Sequence, residues 1–561
     1  MLRAGLCLAL LALAPAAAAD PLSRTDRVRL LYSNQFQFGT GGDPVVTVGL
    51  MQHQDSVRLG SQGPLRLMPD GEGGVEISLP AGSEVSVDLE DGDGGALDYW
   101  AIVEHVEGAA ADQADAVLAR WRERGFPDAR TIETGTVFGV VGRVLDSRDL
   151  LVGVRASSSR ADAERLVSDL ARRYTLSTTG VQPLVRRPPS GRLIARWSVD
   201  GARSSAVVRT SDVLWIASDG RHPIRVRDVE HGVGYSWHGR EDRTFAGRIY
   251  VVVDRSGKLT VANAVPLDRL LAGIVPSEIY ADSPDGALRA QAVTARGELM
   301  AKIGHRHLLD PFLVCAEQHC QVYGGLGRER ERATAAVLAT RGEVLFRPGS
   351  ATLVGSVYHA ACGGFTEDND VVWPSRADPQ LRGHLDADVA RHPELERFAA
   401  GLRTDALLRQ WLALSPPTYC STGRFARAAQ MRWSTTMEAA EVDRLVNARH
   451  PVGRVLDLEP DGRGASGRLH ALSIRGDRGT ARVERELAIR QLFGNLKSAS
   501  FVVDIERASN GNPLRFTFRG AGWGHGVGMC QTGAMSMAER GTTYRQILAH
   551  YFPGADLGRL Y

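Results

Sequence analysis

Three places in this sequence combine residue types and spacings that suggest chemistry. Near the C-terminus, Gly520-Ala521-Gly522-Trp523-Gly524-His525-Gly526-Val527-Gly528 alternates glycine strictly with other residues. In an extended segment this pattern leaves bare backbone on one side, where another chain can come close. Trp523 and His525 would then face the other side, an aromatic surface to stack on a sugar and an imidazole to donate a hydrogen bond. A tightly packed β corner that needs glycine for sterics is the alternative. The second place is Glu278, a lone acid beside Ile274, Val275 and Ile279. Desolvation there would raise its pKa and suit it to general-acid work near neutrality; an ordinary surface glutamate is the alternative. The third is Cys315-Ala316-Glu317-Gln318-His319-Cys320. Cys315, His319 and Cys320 offer three soft ligands to zinc, with His305 or His307 as a fourth. In an oxidising compartment the rival is a Cys315–Cys320 disulfide, with Cys362–Cys420 as a second bridge and Cys530 left over.

The elements that must position these groups are partly legible. Apolar spacing from Val265 predicts a short helix ending near Gly273, which leaves Glu278 in a connecting loop. Ser283 as N-cap, Pro284 at the first helical position and Asp285 in the first turn predict a longer helix through Gln291 and Arg296. After the glycine run, Gln531-Thr532-Gly533 leads into a helix over 534–540, and another follows around 544–551. Residues 44–90 alternate apolar and polar positions between glycine-rich turns and read as short strands. The acidic stretch 90–95 reads as a linker. Residues 98–180 carry the order β-α-β-β-α of a small ferredoxin-like unit, and 187–265 return to strands. The fold class is α+β.

Composition narrows the function. The chain has 561 residues with a formal net charge of +2, so no global field selects nucleic acid or an anionic membrane. Only Lys258, Lys302 and Lys497 are lysines, which leaves few candidates for Schiff-base or lysine-base chemistry. A G-x-S-x-G elbow, an H-E-x-x-H helix and a P-loop are all absent from the sequence, so serine hydrolase, zincin and NTPase readings lose their usual support. Residues 1–19 have the basic, apolar and small-residue regions of a secretory signal peptide, with the cut before Asp20. No segment reads as transmembrane, and an exported protein of the periplasm or cell-wall face is expected.

Four ordered blocks resemble the SpoIID/LytB family: Val265–Glu278 with Ala287–Arg296, Gln321–Gly325, Tyr358–Thr366 and Gly522–Gln531. They cover 185–561, and 44–90 is similar to the strand-rich start of many members. Residues 98–180 resemble in layout a SPOR module, which binds glycan strands stripped of stem peptides; an inserted unit with no ligand of its own is the alternative. The family resemblance implies a peptidoglycan lytic transglycosylase that cuts the MurNAc-β-1,4-GlcNAc bond of denuded strands and leaves 1,6-anhydro ends. Glu278 matches the catalytic acid, and Arg296 would orient it or bind a lactyl carboxylate. Substrate contacts would fall on Gln291, His359, Gly363, Gly364, Trp523, His525 and Gln531. No cofactor is required, although some relatives carry zinc near Cys315–Cys320. Glycan strands are the expected partner. The alternative implied by the family is a non-catalytic enhancer of a cell-wall amidase.

Overall fold

The computed structural model of the protein describes residues 24–561 except 34–36, 40–41, 70, 72–73, 108–110, 141–142, 177–178 and 234–237. The signal-peptide expectation for 1–19 lies outside the described residues. Two large sheets share one apolar core. One has eight strands, including Pro44–Gln54, Val213–Ser218, Arg248–Val253 and Leu259–Pro266; the other has six, including Ser56–Gly60, Ser83–Asp93 and Ser190–Val199. Their inward valines, leucines and isoleucines form a single cluster with the helices that follow.

Most of the expected linker at 90–95 is instead strand, and only Gly94 and Gly95 connect it to the next one. The antiparallel ladder between Ser83–Asp93 and Ser190–Val199 runs on to the Asp93–Ser190 pair, so the acidic side chains sit on a paired strand. Between these neighbouring strands the chain departs and returns. The departing piece forms its own four-stranded sheet from Ala96–Glu107, Arg130–Thr134, Asp149–Ser157 and Gly180–Arg187. Helices Ala111–Glu123 and Arg160–Tyr174 cover it around a separate core that includes Trp121, Val152 and Leu170. In space the first strand lies between the fourth and third, and the second takes the outer edge.

Three helices set the site. Helix α1 spans Leu267–Glu278, α2 spans Asp285–Lys302 and α3 spans Gln531–Glu539. Leu267, Leu270, Leu271, Ile274 and Val275 recur at helical spacing on α1 and are buried, each contributing about 1.5–3 kcal/mol. Helix α1 does not stop at Gly273. A Cβ there would come within 2.8 Å of the Tyr323 ring, so this glycine serves close packing inside the helix, and Glu278 is the last helical residue. Helix α2 starts one residue later than expected: Ser283 turns its hydroxyl to Met535 Sδ rather than capping. From Ala287 to Met300 α2 is almost wholly buried, packed against α1, α3 and the helices Glu331–Ala339 and Tyr544–Tyr551. The polar residues that α2 takes inside with it, Gln291, Thr294 and Arg296, are hydrogen-bonded there, as buried polar groups must be.

Candidate functional site

Glu278 ends α1 at the wall of a cleft of about 360 Å³ lined by Pro276–Ala281, Ala360, Gln430, Gln531, Thr532 and Met535. It is the one carboxylate among those lining residues. Its Oε1 accepts the backbone N–H of Val322 at 2.9 Å, and the Tyr358 hydroxyl lies beside it. Burial pushes the carboxyl above the usual glutamate range, outweighing the pull of the Val322 N–H, Lys302 and Tyr358. This favours a protonated acid, as the sequence leads one to expect.

Amides organise the cleft floor. Gln531 Nε2 donates to Glu278 O at 2.9 Å and to Gln291 Oε1 at 3.1 Å, fixing the first turn of α3 to the last turn of α1. Gln291 is fully buried, so it holds Gln531 rather than a ligand. Tyr358 donates to Gln321 Oε1 at 3.0 Å, and Gln321 in turn donates to Ala295 O of α2. Tyr280, missed by sequence reasoning, is 43% exposed at the cleft mouth. It stacks on Phe425 at 5.7 Å and accepts from Arg427 Nε through its hydroxyl. The signal available was an aromatic two residues after the acid.

Arg296 does not reach Glu278. It is fully buried and spends its guanidinium on Asp268 Oδ1 (3.1 Å), Glu343 O (3.0 Å) and Val337 O (3.3 Å). It ties α2 to α1, to the helix Glu331–Ala339 and to the strand Glu343–Phe346. The expected role in orienting the acid or binding substrate is therefore corrected to an internal anchor.

The glycine run is not an extended strand. Gly522, Gly524, Gly526 and Gly528 have φ of 81°, 98°, 87° and 69°, a left-handed conformation that side chains other than glycine's disfavour. The chain therefore coils, and alternate residues do not share faces. Ala521 and Val527 are buried, while Trp523 is 43% exposed with Lys497 Nζ 5.7 Å from its ring centre. His525 donates from Nε2 to Tyr358 O (2.9 Å) and accepts the Val527 N–H at Nδ1 (3.1 Å). Burial, with His359 and Arg468 nearby, keeps it neutral. Both ring nitrogens are engaged internally, so the expected imidazole donor to a sugar is corrected. His359 is buried as well, its Nδ1 on Val527 O at 3.1 Å. Gly363 and Gly364 also have positive φ. Cβ atoms there would strike Gly522 N at 2.7 Å and the Trp411 ring at 2.4 Å. These glycines let two coiled segments pack together; they are not ligand contacts. Of this group only Trp523 offers an exposed face. It pairs through its backbone with Ala361, next to the cleft residue Ala360.

All five described cysteines are free thiols, against the expected Cys315–Cys320 and Cys362–Cys420 bridges. Cys315 and Cys320 converge with His307 and His319, all four donor atoms lying within 4.8 Å of one another. His307 Nε2 is 3.3 Å from Cys320 Sγ, and its Nδ1 meets Asp310 Oδ2 at 2.8 Å. Two thiols, two imidazoles and a carboxylate orienting one ring fit a tetrahedral zinc centre. His305 points elsewhere, to Ser147 O at 3.0 Å, so the fourth donor is His307. The loop that brings these donors together continues directly into Gln321 and Val322, which hold Tyr358 and Glu278.

The fold is thus α+β, with one enclosed acid at a helix end facing an open cleft of mixed apolar and polar lining. Residues 255–346 match the family model described as stage II sporulation protein, and 367–528 match a domain of unknown function. The chain is 27% identical over 305 residues to the amidase enhancer of Bacillus subtilis, an overlap that takes in 51% of this chain and 40% of that protein. It is 25% identical over 334 residues to stage II sporulation protein D of Bacillus amyloliquefaciens, covering 57% of this chain and 81% of the relative. The B. subtilis stage II sporulation protein D is 25% identical over 327 residues. Over these regions the chain is similar to the SpoIID/LytB family. It spans less than half the length of the amidase enhancer it matches. Among the described residues no helix is long and apolar enough to cross a membrane.

Proposed function

We propose that this protein is a lytic transglycosylase acting on denuded peptidoglycan strands outside the cytoplasm, with Glu278 as its acid. The observation that carries the reading is the single, desolvated carboxylate in a cleft whose other lining residues, apolar ones beside Gln430, Gln531, Thr532 and the exposed Tyr280, include no second acid. Glycosidases that hydrolyse usually need two carboxylates flanking the bond, whereas intramolecular closure needs one. Glu278 gives its proton to the bridging oxygen as the bond from the MurNAc anomeric carbon to that oxygen breaks. The C6 hydroxyl of the same MurNAc bonds to the anomeric carbon, and its proton returns to Glu278. No water enters, and the acid is regenerated. Val322 N–H positions the carboxylate between the two transfers, while Tyr280 and Trp523 offer faces for sugar rings.

A zinc ion held by His307, Cys315, His319 and Cys320 would stabilise the loop that presents Val322, a structural role. The βαββαβ piece at 96–187 would hold naked glycan and raise the local strand concentration at the cleft.

Similarity to an amidase enhancer favours a second reading, in which the cleft binds strands and stimulates a partner amidase without cutting. Mass spectrometry of amidase-stripped strands incubated with wild type and Glu278→Gln separates the two. Anhydro-ended fragments from wild type alone support the transglycosylase. Reducing ends without the anhydro mark, or strand binding without cleavage, overturn it.

A further inference from the structure

Away from the cleft, three thiols and a carboxylate from four distant stretches of chain meet in the interior. Cys362, Cys420, Cys530 and Asp386 are all buried, and their donor atoms lie within 4.8 Å of one another. Cys362 Sγ is 3.0 Å from Asp386 Oδ2 and 3.2 Å from Cys420 Sγ. We propose that this cluster is a second metal site, a tetrahedral S₃O centre for zinc that staples the four segments together.

Four features of the surroundings argue for this. Hydrogen-bond donors already point at the sulfurs: Cys362 N–H at Cys530 Sγ (3.2 Å), Gly364 N–H at Cys362 Sγ (3.3 Å) and Gly533 N–H at Cys530 Sγ (3.4 Å). Such donors stabilise thiolates, the form a metal binds. Cys530 is the N-cap of α3, where the helix dipole favours negative sulfur. Asp386 has its other oxygen fixed by His550 Nε2 (3.1 Å) and the Tyr551 hydroxyl (2.9 Å), leaving Oδ2 aimed into the cluster as an outer shell aims a metal ligand. Arg432 stands beside the cluster with its guanidinium on four carbonyls, Gly363 O among them, and on no carboxylate among the described residues. Its buried Nε has no partner. A cation so placed is balanced by an anionic centre, which three thiolates and a carboxylate remain even after binding a divalent ion. A single Cys362–Cys420 disulfide would use two sulfurs and leave Cys530 an unpaired thiol with two backbone N–H groups aimed at it. Thiolate-rich tetrahedral sites favour zinc, with sulfurs about 3.8 Å apart at bond lengths of about 2.3 Å, within the spread of the cluster.

The centre is separate from the Cys315–Cys320 loop and does not depend on the transglycosylase reading. The test uses the full chain purified without reductant or chelator and loaded with zinc alone. Elemental analysis of wild type, Cys530→Ser and Asp386→Asn should show each variant holding about one zinc fewer per chain. The pair His307→Ala and His319→Ala removes the other site and should leave this one occupied. If the variants fold poorly, alkylation of the wild-type protein decides the matter: Cys362, Cys420 and Cys530 should be protected with zinc and become reactive together after chelation. Unchanged zinc in Cys530→Ser and Asp386→Asn, thiol reactivity indifferent to chelation, or recovery of a Cys362–Cys420 disulfide peptide from wild type would each overturn the proposal.

Discussion

Arg296→Met separates an anchoring role from a catalytic one. The substitution keeps most of the side-chain volume and removes the guanidinium. Glu343 O and Val337 O then lose their donor in the interior, and a buried polar group left unpaired costs about 1–3 kcal/mol. Asp268 loses its buried partner but keeps the Tyr561 hydroxyl at 2.7 Å and Arg341 Nε at 3.4 Å, so its charge is only partly exposed to penalty. Breaking a buried ion pair from one side usually costs about 3–5 kcal/mol, and the retained partners place the expected loss toward the lower end. Urea unfolding, with hydrogen exchange read over α2, should report a loss of about 3 kcal/mol confined first to that helix and the strand Glu343–Phe346. Turnover per folded molecule should be nearly unchanged, because the guanidinium meets nothing in the cleft. A variant as stable as wild type, or one that is folded and stable yet inactive, would refute the reasoning and restore a role in chemistry.

Three other outcomes are expected. Because burial raises the Glu278 pKa, its contribution to stability is fully present below the usual glutamate value and is lost as pH rises through the folded value. Glu278→Gln should therefore gain stability over wild type on going from pH 4 to pH 7 in thermal melts, and the alkaline limb of wild-type activity should lie above the usual glutamate pKa; a constant stability difference across that range would count against desolvation. Gly364→Ala combines φ of 102° with a Cβ 2.4 Å from the Trp411 ring, so a loss of at least about 2 kcal/mol is expected in denaturation midpoints, against little change if the segment can shift. Tyr280→Ala should raise KM for glycan strands with kcat and melting temperature nearly kept, whereas a collapse in melting temperature would mean the ring serves packing with Phe425.

The legible part of this protein is the part whose contacts are close in sequence. Apolar spacing found α1 and α2 to within a few residues, and the run from Ala111 to Tyr174 showed its helices through local periodicity. The enclosure of Glu278 by Ile274, Val275 and Ile279 was visible for the same reason. What failed depends on conformation or on distant contacts. Period-two glycine looks the same in letters whether φ is negative or positive, and only the latter coils Gly522–Gly528 into the packed segment. Arg296 reads as an exposed helix charge because its partners Asp268, Val337 and Glu343 lie 28 to 47 positions away. Asp386 carried no signal: it lies in irregular chain between Phe365 and Cys420, and nothing local marks it as the meeting point of three thiols. The choice of His307 over His305 turned on a single turn after α2.

The βαββαβ piece leaves and re-enters the host through adjacent strands. Asp93 faces Ser190 on the host side of the junction, and Ala96 faces Arg187 on the other. Both crossings sit side by side, so the host ladder is complete without the guest, which meets the host again where Leu145 enters the main core and Ser147 O faces His305. Such a seam is where a gene can gain, lose or exchange a passenger by a single splice between two strands already paired, provided the host fills the place that Leu145 takes in its core.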